Sequence, residues 1–293
     1  MQVARANPRY LPGFPFPGAL QVEEDFATAV HGADLLLLAT PLVGLRTALR
    51  RLHATGSTFG GLIWVCKGLE AESAKLPHQI VADELGAGTL CGVLTGPSFA
   101  EEVARQLPTA LVLASSQADF ARGMAQELHS PRLRIYANDD LLGAEVGGAV
   151  KNVMAIATGI CDGLGFGHNA RAALMTRGLA EMARLGVALG GQPNTFMGLT
   201  GMGDLLLTCT GDLSRNRKVG LALASGQSLP QILSALGHVA EGVSTSREVA
   251  RLARQFNIEM PIVEAVEAIL YHGVVASDAV ETLLSRDPKV ENA

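Results

Sequence analysis

The segment richest in chemistry is Gly147-Gly-Ala-Val-Lys151-Asn152-Val-Met-Ala-Ile156. Between Leu141 and Ile160 only Glu145 and Lys151 carry charge, so a helix of this composition that packs on its neighbours takes the Lys151 amine into a partly desolvated pocket. Desolvation lowers an ammonium's pKa toward neutrality, which suits a proton donor or acceptor. A lysine that snorkels along the helix to water is the competing reading, and for an isolated apolar helix it is the commoner one.

Two loops downstream tip the balance. Gly201-Met-Gly203-Asp204, leading to Thr208, sets a carboxylate at a helix start, where it serves either as a cap or as a site group. Ser214-Arg215-Asn216-Arg217-Lys218 packs three cations, an amide and a hydroxyl into the opening of a helix. Guanidinium forks and free helix N–H groups both favour an anion such as phosphate, whereas most charge runs are solvated turns. Gly163-Leu-Gly165-Phe-Gly167 has the look of a dinucleotide loop, but it follows a helix instead of a strand and is rejected on that ground.

These groups must be positioned by two kinds of element. Up to residue 138, short apolar runs alternate with helical stretches, the pattern of a parallel sheet covered on both faces. Strands are expected at 34–40, 62–66, 91–95, 109–114 and 133–136. The first three run into Thr40-Pro41, Lys67-Gly68-Leu69-Glu70 and Thr95-Gly96-Pro97-Ser98. In an open α/β sheet ligands bind outside the carboxyl ends of strands, so these small polar groups and the Lys67 ammonium face a shared crevice, or else are ordinary turns. From 139 helical periodicity takes over, with helices expected at 141–160, 170–189, 204–210, 217–224, 244–256, 261–272 and 277–284. Ser244 and Ser277 read as caps, Pro261 as a first-turn proline, and Gly190-Gly191 as a helix end. Pro8 to Gly18 reads as a Pro-rich loop. The chain is therefore α/β plus all-α: residues 1–138 form a sheet domain and 139–293 a helical one.

Composition narrows the function. At 293 residues, two domains are the natural expectation. A formal charge of -5 argues against a general nucleic-acid or anionic-membrane binder, so any anion must be held by a local basic cluster. The four cysteines at 66, 91, 161 and 209 form no C-x-x-C pair and the seven histidines no H-E-x-x-H, which reads as a reduced, metal-free cytosolic protein. The start has no signal-peptide core, and the 141–160 helix, with Glu145, Lys151, Asn152 and four glycines, reads as a globular core helix with no stable membrane insertion.

Several blocks, in order, resemble the NAD(P)-dependent glycerol-3-phosphate dehydrogenase family of bacterial type. They are Asn-Pro-Arg-Tyr-Leu-Pro-Gly at 7–13, Lys67-Gly-Leu-Glu70, Thr95-Gly-Pro-Ser-Phe-Ala100-Glu-Glu, Gly147-Gly-Ala-Val-Lys-Asn152, Asp162 to Arg171, Met197 to Thr210, Ser214-Arg-Asn216 and Val239-Ala-Glu-Gly242. The resemblance implies a Rossmann-like parallel-sheet domain followed by an all-helical one, and hydride exchange between NAD(P)H and a phosphorylated triose for glycerophospholipid synthesis. It implies Lys151 as the proton donor or acceptor, with Lys67, Gly96, Ser98, Asp204 and Thr208 around the reacting carbon. Ser214, Arg215 and Asn216 then take the phosphate, while Lys67, Ala100, Arg215, Val239 and Glu241 touch the cofactor. The family opens with a strand, a G-x-G-x-x-G turn and a helix, and no such turn stands before Asp34. The sheet domain is accordingly expected to be N-terminally truncated by about 30 residues. A β-hydroxyacid dehydrogenase or ketopantoate reductase could share the Lys-Asn helix, but the cluster at 214–218 argues for a phosphorylated substrate. A triose-phosphate binder without turnover is the non-enzymatic alternative. Cytoplasmic location follows from the composition; the oligomeric state is not fixed, and a homodimer is one option.

Overall fold

The structure, a computed structural model, describes residues 1–237 and 239–286. A small antiparallel hairpin, β1 (Ala6–Asn7) and β2 (Leu11–Pro15), stands where a Pro-rich loop was expected; β2 takes Pro12 and Pro15 because it pairs only with β1. The sheet domain then runs α1 (Phe26–Val30), β3 (Leu36–Leu38), α2 (Leu42–Thr55), β4 (Leu62–Trp64), α3 (Pro77–Leu85), β5 (Cys91–Thr95), α4 (Ala100–Ala104), β6 (Thr109–Ala114), α5 (Ala118–Glu127) and β7 (Leu133–Asn138).

Strand order is β3-β4-β5-β6-β7. Neighbours are parallel except β5 and β6, which pair antiparallel through Val93–Ala114, Leu94–Leu113 and Thr95–Val112. The sheet is thus parallel with one reversal, where sequence alternation alone implies none. The segment joining β5 to β6 contains only the single-turn α4, too little helix for the crossover that parallel neighbours need. Leu62, Ile63 and Trp64 of β4 are wholly buried because both faces are covered. Alternation sends Leu62 and Trp64 toward α2, whose Leu42, Leu45, Leu49 and Leu52 recur at helical spacing, and Ile63 toward α5.

The helical domain comprises α6 (Leu141–Gly163), α7 (Gly167–Ala188), α8 (Pro193–Met197), a π-helical turn (Leu199–Gly203), α9 (Asp204–Thr210), α10 (Arg215–Ala224), α11 (Leu229–Leu236), α12 (Glu241–Gln255), α13 (Pro261–Tyr271) and α14 (Ala276–Leu284). α6 is the axis of the molecule, about 35 Å long and buried from all sides. Asp140 starts it by accepting from Gly143 N and, with its other oxygen, from Gln192 N, both at 2.8 Å. The first turn of α6 packs on the sheet through Leu141 and Ala144, and the remainder forms the helical core. Among the described residues no helix is long and apolar enough to cross a membrane.

Four helix starts differ from expectation, α7 among them, at Gly167 instead of 170. α12 begins at Glu241, leaving Ser244 inside its first turn with the hydroxyl donating to Glu241 O at 3.2 Å. An acidic side chain suits that end of a helix dipole. α14 begins at Ala276, so Ser277 is not its cap. α10 begins two residues early at Arg215, capped by Ser214. Gly165 and Gly167, at φ 77° and 81°, only reverse the chain between α6 and α7.

Candidate active site

The centre lies where the carboxyl ends of the strands meet α6. Its two glycines set the spacing: a Cβ on Gly148 would lie 3.5 Å from Lys67 Cγ and 3.3 Å from Thr95 Oγ1, and one on Gly147 would lie 2.8 Å from Thr200 O. A Cβ at Gly147 would meet the backbone of the π turn, whereas one at Gly148 would only crowd the Thr95 hydroxyl and the Lys67 stem. That turn is a feature periodicity cannot show. Its Gly201 is wedged so closely on Phe196 that a Cβ would fall 2.0 Å from Phe196 O. It delivers Asp204 to the first position of α9 with its side chain facing α6.

Asp204 joins two lysines. Oδ1 accepts from Lys151 Nζ at 2.6 Å and Oδ2 from Lys67 Nζ at 2.7 Å. Lys151 Nζ also donates to Thr208 Oγ1 at 2.9 Å, whose own hydrogen goes to Asp204 O at 2.6 Å. The reading of Asp204 as a plain helix cap is thereby set aside. Lys151 is 6% exposed and Asp204 2%, so water does little to screen them. Burial, reinforced by the Lys67 ammonium and opposed by Asp204, brings the Lys151 amine down to about 8. Burial alone would raise the Asp204 carboxyl, but the two ammoniums outweigh it and hold it below the ordinary range.

A chain of amides leads away from Lys151. Asn216 Nδ2 donates to Asn152 Oδ1 at 2.9 Å, and Gly242 N donates to Asn216 Oδ1 at 3.0 Å. This brings the start of α10 and the start of α12 to the residue beside Lys151. Ser214 is buried and its Oγ accepts from Arg217 N at 3.2 Å, while Arg215 is exposed. Of the cations in this run, Arg217 is turned inward to Asp162 and also pairs with the exposed Asp212, so the cluster is smaller than its composition implies. Glu241 Oε1 accepts from Leu42 N at 3.4 Å, and burial raises its carboxyl.

Gly96 is buried at φ 129°, accepting a hydrogen bond from Ser98 Oγ at 3.1 Å, and the following Pro97 and Phe99 lie against Gly203 and Gly211 at the two ends of α9. Ala100 and Val239 are exposed, Val239 by 46%, and the structure records no bond from either to the lysine cluster. Thr40 and Thr95, expected at the strand ends facing the crevice, and Thr245, which sequence reasoning passed over, are buried hydroxyls without a protein partner among the described residues. Thr40 and Thr95 close the ends of β3 and β5; Thr245 faces Gly68, whose Cβ would lie 2.7 Å from Thr245 Oγ1. Unpaired buried hydroxyls at two strand ends and on α12 fit the carboxamide and ribose hydroxyls of a nicotinamide cofactor.

A Rossmann-like sheet, an all-helical second half and a desolvated lysine on a shared carboxylate are the arrangement of a nicotinamide-dependent dehydrogenase with a helical second domain. Comparison with known proteins narrows this. Residues 1–121 match the family model described as NAD-dependent glycerol-3-phosphate dehydrogenase N-terminus, and residues 140–281 match its C-terminus. The chain belongs to the NAD-dependent glycerol-3-phosphate dehydrogenase family. It is 62% identical over 293 residues to "Glycerol-3-phosphate dehydrogenase [NAD(P)+]" of Dechloromonas aromatica, covering 100% of this chain and 89% of that one. The crystal structure of glycerol-3-phosphate dehydrogenase from Coxiella burnetii matches 98% of the chain and 87% of its own at 43% identity and a TM-score of 0.93. A ketopantoate reductase from Ralstonia eutropha shares the fold alone, at 13% identity and a TM-score of 0.52.

Proposed function

We propose that Lys151, Asp204, Lys67 and Thr208 form the reaction centre of an NAD(P)-dependent glycerol-3-phosphate dehydrogenase, with Ser214, Arg215 and Asn216 receiving the phosphate. The chain is an oxidoreductase of that family, interconverting dihydroxyacetone phosphate and sn-glycerol 3-phosphate, the backbone of glycerophospholipids. The observation that carries the site assignment is the buried Lys151 ammonium held by Asp204 and Thr208, where burial brings the amine down to about 8. Such an amine is largely protonated at neutral pH and can give a proton to a ketone oxygen or recover it from the alcohol. Lys67, on the other oxygen of Asp204, places a second cation where negative charge develops. Asp204 aims both amines, and Thr208 accepts one Lys151 hydrogen, which leaves a third for the substrate oxygen. Gly96 and Ser98 wall the same crevice from the end of β5. When bound, the nicotinamide cofactor supplies the hydride. Thr40, Thr95 and Thr245 can satisfy its carboxamide and ribose, and Lys67, Ala100, Arg215, Val239 and Glu241 would line it.

Residues 1–138 serve the cofactor in this reading and 139–293 the substrate. Cytoplasmic location and a homodimer are its remaining elements, the latter open to sizing in solution. The testing experiment is turnover of dihydroxyacetone phosphate with NADH and with NADPH, against unphosphorylated dihydroxyacetone. Turnover selective for the phosphate ester supports the reading. Binding of the ester without oxidation of either cofactor favours a triose-phosphate binder, and equal turnover of both ketones removes the phosphate site.

A further inference from the structure

We infer that Asp162 is a positioning residue for the phosphate arm, holding Ser214 and Arg215 in place through Arg217; this rests on the reading of 214–216 as the phosphate locus. Asp162 lies on α6 about three turns beyond Lys151. Its side chain is 6% exposed and both oxygens are engaged. Oδ1 accepts from Arg171 Nε at 2.7 Å, and Oδ2 accepts from Arg217 Nε at 3.0 Å and Nη2 at 2.8 Å. Three helices, α6, α7 and α10, therefore meet on one carboxylate.

Arg217 transmits the hold. Its guanidinium is tied to Asp162, and its backbone N–H donates to Ser214 Oγ, the cap of α10. Fixing residue 217 at both main chain and side chain fixes the turn that presents Arg215. The Asn216–Asn152 bond ties the start of α10 to α6, and the rest of the helix contact beneath adds little register to it. α10 lies backbone to backbone on α6: a Cβ on Gly159 would fall 2.2 Å from Arg217 O, and one on Gly220 2.1 Å from Ile156 O. Such bare surfaces fix the distance between helices but supply few interlocking side chains to fix their register. A buried fork on a carboxylate supplies that register, because its hydrogen bonds are directional and strong at this burial.

Charge and geometry make opposite forecasts for Asp162→Asn, which gives the inference its test. Neutralising Asp162 leaves Arg171 without this carboxylate and Arg217 with only the exposed Asp212, so electrostatics alone draws in an incoming phosphate and lowers KM. Loosening the mount raises it. We expect Asp162→Asn to raise KM for dihydroxyacetone phosphate at least about tenfold while kcat stays within about threefold, with kcat/KM for unphosphorylated dihydroxyacetone moving far less. A KM that falls or stays level overturns the inference. Should the variant fail to fold, Arg217→Lys keeps the charge and one bond to Asp162 but loses the fork. It is expected to raise KM in the same direction by a smaller factor, and an unchanged KM is again fatal. Arg215→Ala run in parallel separates the two claims. If it leaves the preference for the phosphate ester intact, the phosphate locus itself is misplaced. If it abolishes that preference while Asp162→Asn preserves it, only the positioning role fails.

Discussion

Asp204 Oδ1 stands 2.6 Å from Lys151 Nζ, joining the first residue of a helix to the buried middle of another 53 positions away in sequence. The same carboxylate takes Lys67 on its second oxygen, so one acid orders two ammoniums that would otherwise repel each other. The pair carries net positive charge in a place with little water. That combination binds an electron-rich carbonyl oxygen and protonates it, and each property depends on a different member.

Lys151→Ala removes the proton donor while leaving the strand-end groups in place. In the reductive direction kcat should fall by at least about a hundredfold, the low end for a positioned general acid, with cofactor affinity nearly unchanged. Steady-state kinetics with a direct cofactor-binding titration check this. Near-normal turnover across pH 6 to 9 would assign the proton to another group.

The pH profile should respond to the two neighbours in opposite senses. Reduction needs Lys151 protonated, so kcat/KM for the ketone falls as pH rises through about 8, and oxidation rises through the same value. Asp204 supports the protonated form, and Asp204→Asn should move the limb to lower pH. Lys67 opposes it, and Lys67→Met should move the limb to higher pH. Both variants lose rate, but the reading is where the limb lies, not how high. Shifts in the same direction would remove Lys151 as the titrating group.

Much of this site was legible because its chemistry sits in local composition. A lysine in an apolar helix is ambiguous by itself, but the strands ending in Lys67 and in Gly96-Pro97-Ser98, the Asp204 loop and the basic run together pointed it into a crevice. Strands β5 and β6 ran to the expected residues, 91–95 and 109–114, since continuous apolar runs bounded by turn-formers have clear ends. Their antiparallel pairing did not show, because direction is decided by how the intervening segment packs. The inward turn of Arg217 was equally hidden: nothing in Ser-Arg-Asn-Arg-Lys tells which guanidinium finds Asp162, a choice made by the phase of α10 on α6. Nor can periodicity reveal the π turn that carries Asp204, as it depends on Gly201 meeting the Phe196 backbone.

Arg215 and Lys218 are the exposed cations of the basic run, while Arg217 is spent on Asp162. Arg215→Ala should weaken the phosphorylated substrate by about ten- to a hundredfold in kcat/KM, the usual scale for a lost charge-assisted bond. Parent and variant should handle dihydroxyacetone equally poorly. Comparing the two substrates isolates the phosphate contribution, and a variant that still discriminates as the parent does places the phosphate elsewhere.

Glycines offer a contrast that tests the geometry independently of activity. On Gly201 a Cβ would lie 2.0 to 2.5 Å from backbone atoms of Phe196, which cannot rotate out of the way. Gly201→Ala should therefore cost roughly 1 to 3 kcal/mol, the range for overpacking, and since the π turn carries Asp204, activity should fall with stability. Gly123 lies within α5 with nothing within 4 Å of an added Cβ. There alanine only narrows the unfolded ensemble and improves helix propensity, so Gly123→Ala should stabilise by about 0.5 to 1 kcal/mol with activity intact. Urea midpoints at constant m-value measure both. If Gly201→Ala proved neutral, the π turn would have room to relax, and the tight delivery of Asp204 to Lys151 would lose its structural basis.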